Sequence, residues 1–365
     1  MTTIPKIMNA MVLMRHGGSD ALEYHTDWPV PVPKRREVLI RVTACGLNNT
    51  DVNTRTGWYS KSVETATTGG GYSEMGEDDP AWGGAPISFP RIQGADVVGV
   101  VVACGPQADT GLTGKRVMTD NWLRDWDEPM NRDKTGYIGS ECDGGFAEYV
   151  ALDERNVAAV DTPMSDAELA TFSCSYSTAE GMLSRAGVGA GDDVLITGAS
   201  GGVGSALIQL AKRRGARVIA MASEAKHEVL RDLGPDALLP RAPADLKAAL
   251  EAAIGRLTVT VVADIVGGEQ FPALIDVLAR GGRYTCSGAI AGPIVSLDLR
   301  TFYLHDLTFT GSTVVEPHIF SDLVGYIERG EVRPLLAATY PLAELHSAQA
   351  AFIAKKHAGN IVVCP

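Results

Sequence analysis

A chain of 365 residues, 45% hydrophobic and 21% charged, is long enough for two folded domains and ordinary for a globular protein. Its net charge of −12 comes without any basic block, which disfavours nucleic acid or an anionic membrane surface as a partner. No apolar run approaches the ~20 residues of a membrane span, Met1-Thr-Thr-Ile-Pro5 lacks a secretory pattern, and the six cysteines include no CxxC pair; a cytoplasmic protein without a disulfide scaffold or clustered zinc site is expected.

The first ~155 residues carry short β-type runs and glycine turns. Val38–Ala44, Asp96–Val102 and Lys115–Met118 read as strands, with glycines at 94, 99, 105, 111 and 114 between them. The pattern predicts an antiparallel, barrel-like domain rather than a βαβ repeat. From 60 to 88 the chain is glycine-rich and acidic with almost no apolar periodicity, so it is either a functional lid or a solvated excursion. The tract Asp120–Glu128 is loop-like as well, though its two tryptophans suggest that something is covered.

From about Asp161 the pattern changes. Ala167 to Leu183 is mostly helical, and strands then alternate with helices. The run Val194-Leu-Ile-Thr197 reads as a buried parallel strand, and Gly198, Gly201 and Gly204 follow at three-residue spacing. Ala206, Leu207, Leu210 and Ala211 then repeat at helical spacing. Strand, glycine turn and helix together predict a dinucleotide site, in which the helix N-terminus offers N–H groups and a positive dipole end to pyrophosphate. Five further strands are expected at 217–222, 237–239, 259–263, 283–286 and 307–310, with helices at about 225–233, 244–254 and 269–280, giving a doubly wound sheet. A helix near 318–329 and the strand Asn360–Val363 close the chain, the tail returning to the first domain.

An NAD site usually ends its second strand on an acidic residue that binds the ribose 2′-hydroxyl. Here that strand ends Met221-Ala222-Ser223, with Lys226 just beyond it and Arg241 after the third strand. Cations suit a 2′-phosphate, so NADPH is the expected cofactor, with Glu224 as the residue that argues the other way.

These segments together resemble the medium-chain dehydrogenase/reductase superfamily over nearly the whole chain. The marks are Gly94 to Gly105 after Phe89-Pro90, Asp143-Gly-Gly-Phe-Ala-Glu-Tyr149, the glycine turn at 198–204, Asp264-Ile-Val-Gly-Gly268 and Gly281-Gly-Arg-Tyr284. The resemblance implies an α/β protein: a GroES-like, mainly antiparallel β-barrel catalytic domain at 1–158 and 330–365, and a Rossmann doubly wound parallel sheet at 159–329. In the zinc-dependent branch a Cys lies where this chain has Asn48 and a His-Glu pair where it has Ala95-Asp96; only Cys174 matches a ligand position, and no metal is expected. Gly46-Leu-Asn-Asn-Thr-Asp-Val-Asn-Thr-Arg-Thr-Gly-Trp-Tyr59 instead looks like the zinc-free quinone oxidoreductase branch, matching at Asn48, Asp51, Arg55, Gly57 and Tyr59 but carrying Asn53 where a tyrosine is common.

The resemblance implies hydride transfer from NADPH to a quinone or α,β-unsaturated carbonyl. Asn48 would donate to the substrate oxygen, Tyr59 would donate or supply a proton, and Asp51 would orient its neighbours. The cofactor set would be Thr178, Ser200, Gly201, Gly202, Val203, Ser223, Lys226, Arg241, Val266 and Gly288. The 60–88 insertion, starting directly after Tyr59, could cap the substrate pocket. A homodimer or homotetramer built on the edge strand Leu307–Val314 is also implied. Two alternatives stay open: an alcohol or carbonyl dehydrogenase with a non-standard metal site, and a nucleotide-binding sensor or structural protein with little catalysis.

Overall fold

The computed structural model describes residues 3–67 and 87–365. The greater part of the 60–88 insertion therefore lies outside the described residues. Contacts divide the chain into two units.

The first unit comprises residues 3–63, 87–174 and 320–365. Its main sheet runs in the order Val157–Ala159, Arg116–Thr119, Asp96–Cys104, Glu37–Gly46, Asn360–Cys364, Leu336–Pro341, and Tyr149–Asp153 also pairs with Glu37–Gly46. A smaller sheet joins Leu22–Pro29, Ile7–Leu13 and Arg91–Ile92. Met11, Leu13, Leu39, Ile40, Ile92, Met118, Phe146 and Leu152 are fully buried in this unit. The C-terminal strand pairs antiparallel with Glu37–Gly46, placing Val362 opposite Gly46 and Val363 opposite Cys45, so the tail returns to the first unit as expected.

Two departures from the sequence reading concern this unit. The tract 120–128 is not simply a loop, because Trp122–Arg124 pairs with Thr135–Tyr137 in a two-stranded ribbon that buries Trp122 against Tyr137. Asn49–Thr56 is a helix that the hydrophobic pattern does not announce. Its residues are polar and poor helix formers. The ends hold it instead: Asn48 and Asp51 form a capping box, and Gly57 closes the C-terminus in the left-handed region at φ 68°.

The second unit comprises residues 64–67 and 175–319 among those described. Six parallel strands, β1 (Asp193–Ile196), β2 (Arg217–Ala222), β3 (Ala237–Pro240), β4 (Val259–Asp264), β5 (Leu278–Cys286) and β6 (Thr308–Gly311), lie in the order β3-β2-β1-β4-β5-β6. That order is the doubly wound dinucleotide-binding arrangement, with its switch point between β1 and β4. Leu195, Ile219, Leu239, Leu250, Val262 and Leu274 form part of its core. The helix expected over 269–280 stops at Asp276. β5 begins at Leu278, and a register shift in its pairing with β4 spans the stretch that holds Gly281 and Gly282, a pair suited to a bulge and unsuited to a helix.

The contact borders fall after Cys174 and Ile319, whereas the resemblance implies 158 and 329, and side-chain anchoring accounts for the difference. Arg116 reaches Asp166 and the carbonyl of Thr162, Cys174 N–H donates to Asp96, and Asp161 N–H donates to Glu328. These bonds hold 159–174 and the 320s to the barrel.

Candidate functional site

In the first unit, strand Glu37–Gly46 delivers the chain to Asn48, and the capped helix that follows is buried from Asp51 through Arg55, including the polar Asp51, Asn53, Thr54 and Arg55. Asn48 is 7% exposed, Asp51 4% and Asp96 0%. The Asp51 carboxylate accepts the Asn48 main-chain N–H at 2.7 Å. Burial pushes the Asp51 carboxyl up to about 7; the N–H groups of Asn48 and Gly94 pull it down, and the negative charge of Asp96 adds to the rise. Asp51 is thus bonded to the Asn48 backbone, with its carboxyl pushed toward the neutral range by burial, which the sequence does not show.

Asp96 lies close to the Asn48 side chain. Its Oδ1 accepts the Asn121 amide at 2.8 Å and the Cys174 N–H at 2.9 Å. Burial raises this carboxyl to about 6, opposed first by the nearby Asn48 amide. The Asn48 Nδ2 is nonetheless buried without a hydrogen bond of good geometry, and so is Asp96 Oδ2. Proximity here moves charge without satisfying either atom. A buried amide donor left unpaired costs about 1–3 kcal/mol, which an incoming acceptor oxygen would recover. Tyr59 is half-buried, with Thr50 and Asn53 hydrogen-bonded to its oxygen, and burial raises its hydroxyl to about 12. It stays protonated and can donate. The sequence singles out Asp96 only as the residue at the zinc branch's His-Glu position and does not point to Asn121 or Tyr137; the paired tryptophans alone hint that the 120s cover anything.

The same unit tests the zinc reading. Cys174 engages the buried Tyr137 hydroxyl, the carboxylate beside it is already held by Asn121 and a main-chain N–H, and Asn48 offers an amide instead of a thiolate. Among the described residues no three His, Cys, Asp or Glu side chains are grouped to hold a metal. This donor set does not fit a catalytic zinc, which takes three protein ligands.

In the second unit the cofactor candidates fall at the carboxyl ends of successive strands, where open α/β sheets bind ligands. Ser200, Gly201, Gly202 and Val203 follow β1, Ser223 and Lys226 follow β2, Arg241 follows β3, Val266 follows β4 and Gly288 follows β5. Thr178 sits half-buried on the helix Ser173–Arg185. The helix Gly202–Arg213 packs so closely on the turn that a Cβ at Gly204 would stand 2.3 Å from the Gly198 carbonyl oxygen. At Gly201 an added Cβ would meet only that oxygen, at 3.6 Å, so the turn leaves backbone accessible to a phosphate.

Lys226 is half-buried, and its ammonium is pushed down from the usual lysine value by burial and then by the Arg241 charge. The two cations at the ends of β2 and β3 are thus near enough to repel one another. His227, unremarked in the sequence, places Nε2 3.1 Å from the Ala222 carbonyl and 3.2 Å from that of Leu239, tying the two strand ends that carry these cations. At the end of β4, Asp264 accepts from the Thr197 and Tyr284 hydroxyls and from the N–H groups of Val266 and Gly267, fixing the turn that holds Val266.

The chain matches the alcohol dehydrogenase GroES-like domain model over residues 34–162 and the zinc-binding dehydrogenase model over 202–329. It is 24% identical to the quinone oxidoreductase of Homo sapiens, covering 95% of this chain and 94% of that protein. It is 28% identical to the chloroplastic NADPH-dependent alkenal/one oxidoreductase of Arabidopsis thaliana, covering 100% and 81%. A crystal structure from Sinorhizobium meliloti 1021, provisionally named an alcohol dehydrogenase, superposes with a TM-score of 0.90 at 47% identity, covering 100% of this chain and 98% of that one.

Proposed function

Because the chain belongs to the medium-chain dehydrogenase/reductase superfamily, as an oxidoreductase similar to quinone oxidoreductases, we propose that it reduces a quinone or α,β-unsaturated carbonyl with NADPH and without zinc. When bound, the reduced nicotinamide supplies a hydride. Such acceptors need no Lewis acid, because the added charge delocalises onto oxygen; the protein's part is orientation and hydrogen bonding. Asn48 Nδ2 donates to the oxygen on which charge grows. Tyr59 donates a second hydrogen bond or passes its proton to the reduced acceptor. Asp51 holds the Asn48 backbone, and Asp96 lies beside the amide without tying it up.

The single observation that carries this reading is the buried, unpartnered Asn48 amide at the position where the zinc branch keeps a thiolate. The glycine turn and the first N–H groups of the helix Gly202–Arg213 hold the pyrophosphate, and Lys226 with Arg241 takes the 2′-phosphate. The Arabidopsis relative, an NADPH-dependent alkenal/one oxidoreductase, supports both the coenzyme and the acceptor class.

Six cysteines with no disulfide among the described residues suit a reducing compartment such as the cytoplasm. Self-association is part of the same proposal: β6 is an outer strand of its sheet, and Ile294, Leu299, Tyr303 and Leu304 leave large apolar side chains exposed just before it. The test is NADPH oxidation by purified protein against a panel of quinones, enones and enals, with simple aldehydes and ketones as controls. Turnover confined to the electron-poor acceptors is expected. Preferred reduction of unconjugated carbonyls would overturn the reading.

A further inference from the structure

Residues 64–67 follow Tyr59 closely in sequence, yet their contacts assign them to the nucleotide-binding unit. The Thr67 N–H donates to the Ile290 carbonyl at 3.1 Å, with the Thr67 hydroxyl 3.5 Å from the same oxygen. Close by, the Glu64 carbonyl faces Gly292, 3.9 Å from where a Cβ would stand. The receiving loop is tied inward in turn. Ala291 N–H donates to the Val266 carbonyl at 2.8 Å, and Gly268 N–H donates to the Gly292 carbonyl at 3.2 Å. Beneath these, Asp264 anchors Val266 and Gly267. Main-chain hydrogen bonds thus link Thr67 to Ile290, and Ala291 and Gly292 to Val266 and Gly268, beyond the carboxyl ends of β4 and β5.

In a sheet of this order, β1 to β3 serve one mononucleotide and β4 to β6 the other. With the 2′-phosphate cations at the ends of β2 and β3, the loops after β4 and β5 belong to the nicotinamide half. We infer that residues 64–67 form a positioning brace for the nicotinamide end of the cofactor, holding the 289–292 loop against the turn that carries Val266. The inference rests on the proposed use of a nicotinamide dinucleotide. Through this brace residues 64–67 bear on cofactor geometry, whereas the sequence reading relates the 60–88 insertion to the substrate pocket.

The experiment uses the full chain and two probes: NADPH, and 2′-phospho-ADP-ribose, which lacks the nicotinamide ring. Thr67→Pro removes the N–H donor, and Thr67→Val keeps it while removing the hydroxyl. By calorimetric titration, Thr67→Pro is expected to weaken NADPH roughly five- to tenfold, the loss of about one neutral hydrogen bond, and to leave 2′-phospho-ADP-ribose unchanged. Thr67→Val should bind both as the wild type does. In the wild type, NADPH should slow hydrogen exchange at the Thr67 amide and the fragment should not, a measurement that needs no variant to fold. Equal binding of NADPH by Thr67→Pro and wild type, an equal loss for both probes, or exchange at Thr67 unaltered by NADPH would each overturn the brace. Failure of the wild type to bind either probe would instead overturn the cofactor reading.

Discussion

The carboxylate of Asp51 accepts the main-chain N–H of Asn48 at 2.7 Å while remaining 4% exposed, so a group that titrates at about 7 is bonded directly to the residue proposed to hold the substrate. The folded chain keeps protons on Asp51 and Asp96 that the unfolded chain has released between about pH 4 and pH 7, and stability therefore falls as pH rises through that window. Asp51→Asn removes one such titration and still offers an acceptor oxygen. Its advantage over wild type in denaturant unfolding should grow between pH 5 and pH 8 by on the order of 1–3 kcal/mol. A difference that does not vary with pH would contradict the assignment.

Asn48→Ala should lower kcat by about 10²–10³, the usual cost of one donor to a developing oxyanion, with the NADPH Kd changed less than threefold, within roughly 0.6 kcal/mol. Steady-state rates alongside a cofactor titration check it. An unchanged kcat would remove Asn48 from the chemistry.

Much of the nucleotide-binding unit was legible because its strands are buried on both faces and read as continuous apolar runs: Val194–Ile196, Arg217–Ala222 and Val259–Ala263 stand where expected. The barrel was less so. The sequence pattern does not single out the strands Ile7–Leu13, Leu22–Pro29 and Leu336–Pro341, and the polar helix Asn49–Thr56 depends on its caps. The site divides in the same way. Glycine spacing points to the phosphate turn because it is local. The Asp96–Asn121 and Thr67–Ile290 bonds join residues 25 and 223 positions apart, and no short-range pattern encodes such pairs.

Lys226→Ala and Arg241→Ala should each raise the KM for NADPH about 10- to 100-fold, as expected for loss of a charge-assisted bond, and leave the KM for NADH nearly unchanged. Parallel kinetics with both coenzymes decide this. Equal effects on the two would assign these cations to something other than a 2′-phosphate.

Leu299 is 65% exposed and Leu304 55%, so replacing both with Glu should leave the monomer fold intact. If this patch and the β6 edge pair two copies, Leu299→Glu/Leu304→Glu should elute as a monomer in light-scattering chromatography while the wild type elutes as a dimer or larger. The same mass for both proteins would place the interface elsewhere.

The rate of NADPH consumption with a reactive enone, measured before and after exhaustive chelation with metal content determined in the same samples, bears most directly on the account. Substoichiometric zinc and an unchanged rate are expected. One zinc per chain, with activity lost on its removal and restored on its return, would contradict hydride transfer through Asn48 to an acceptor that needs no metal.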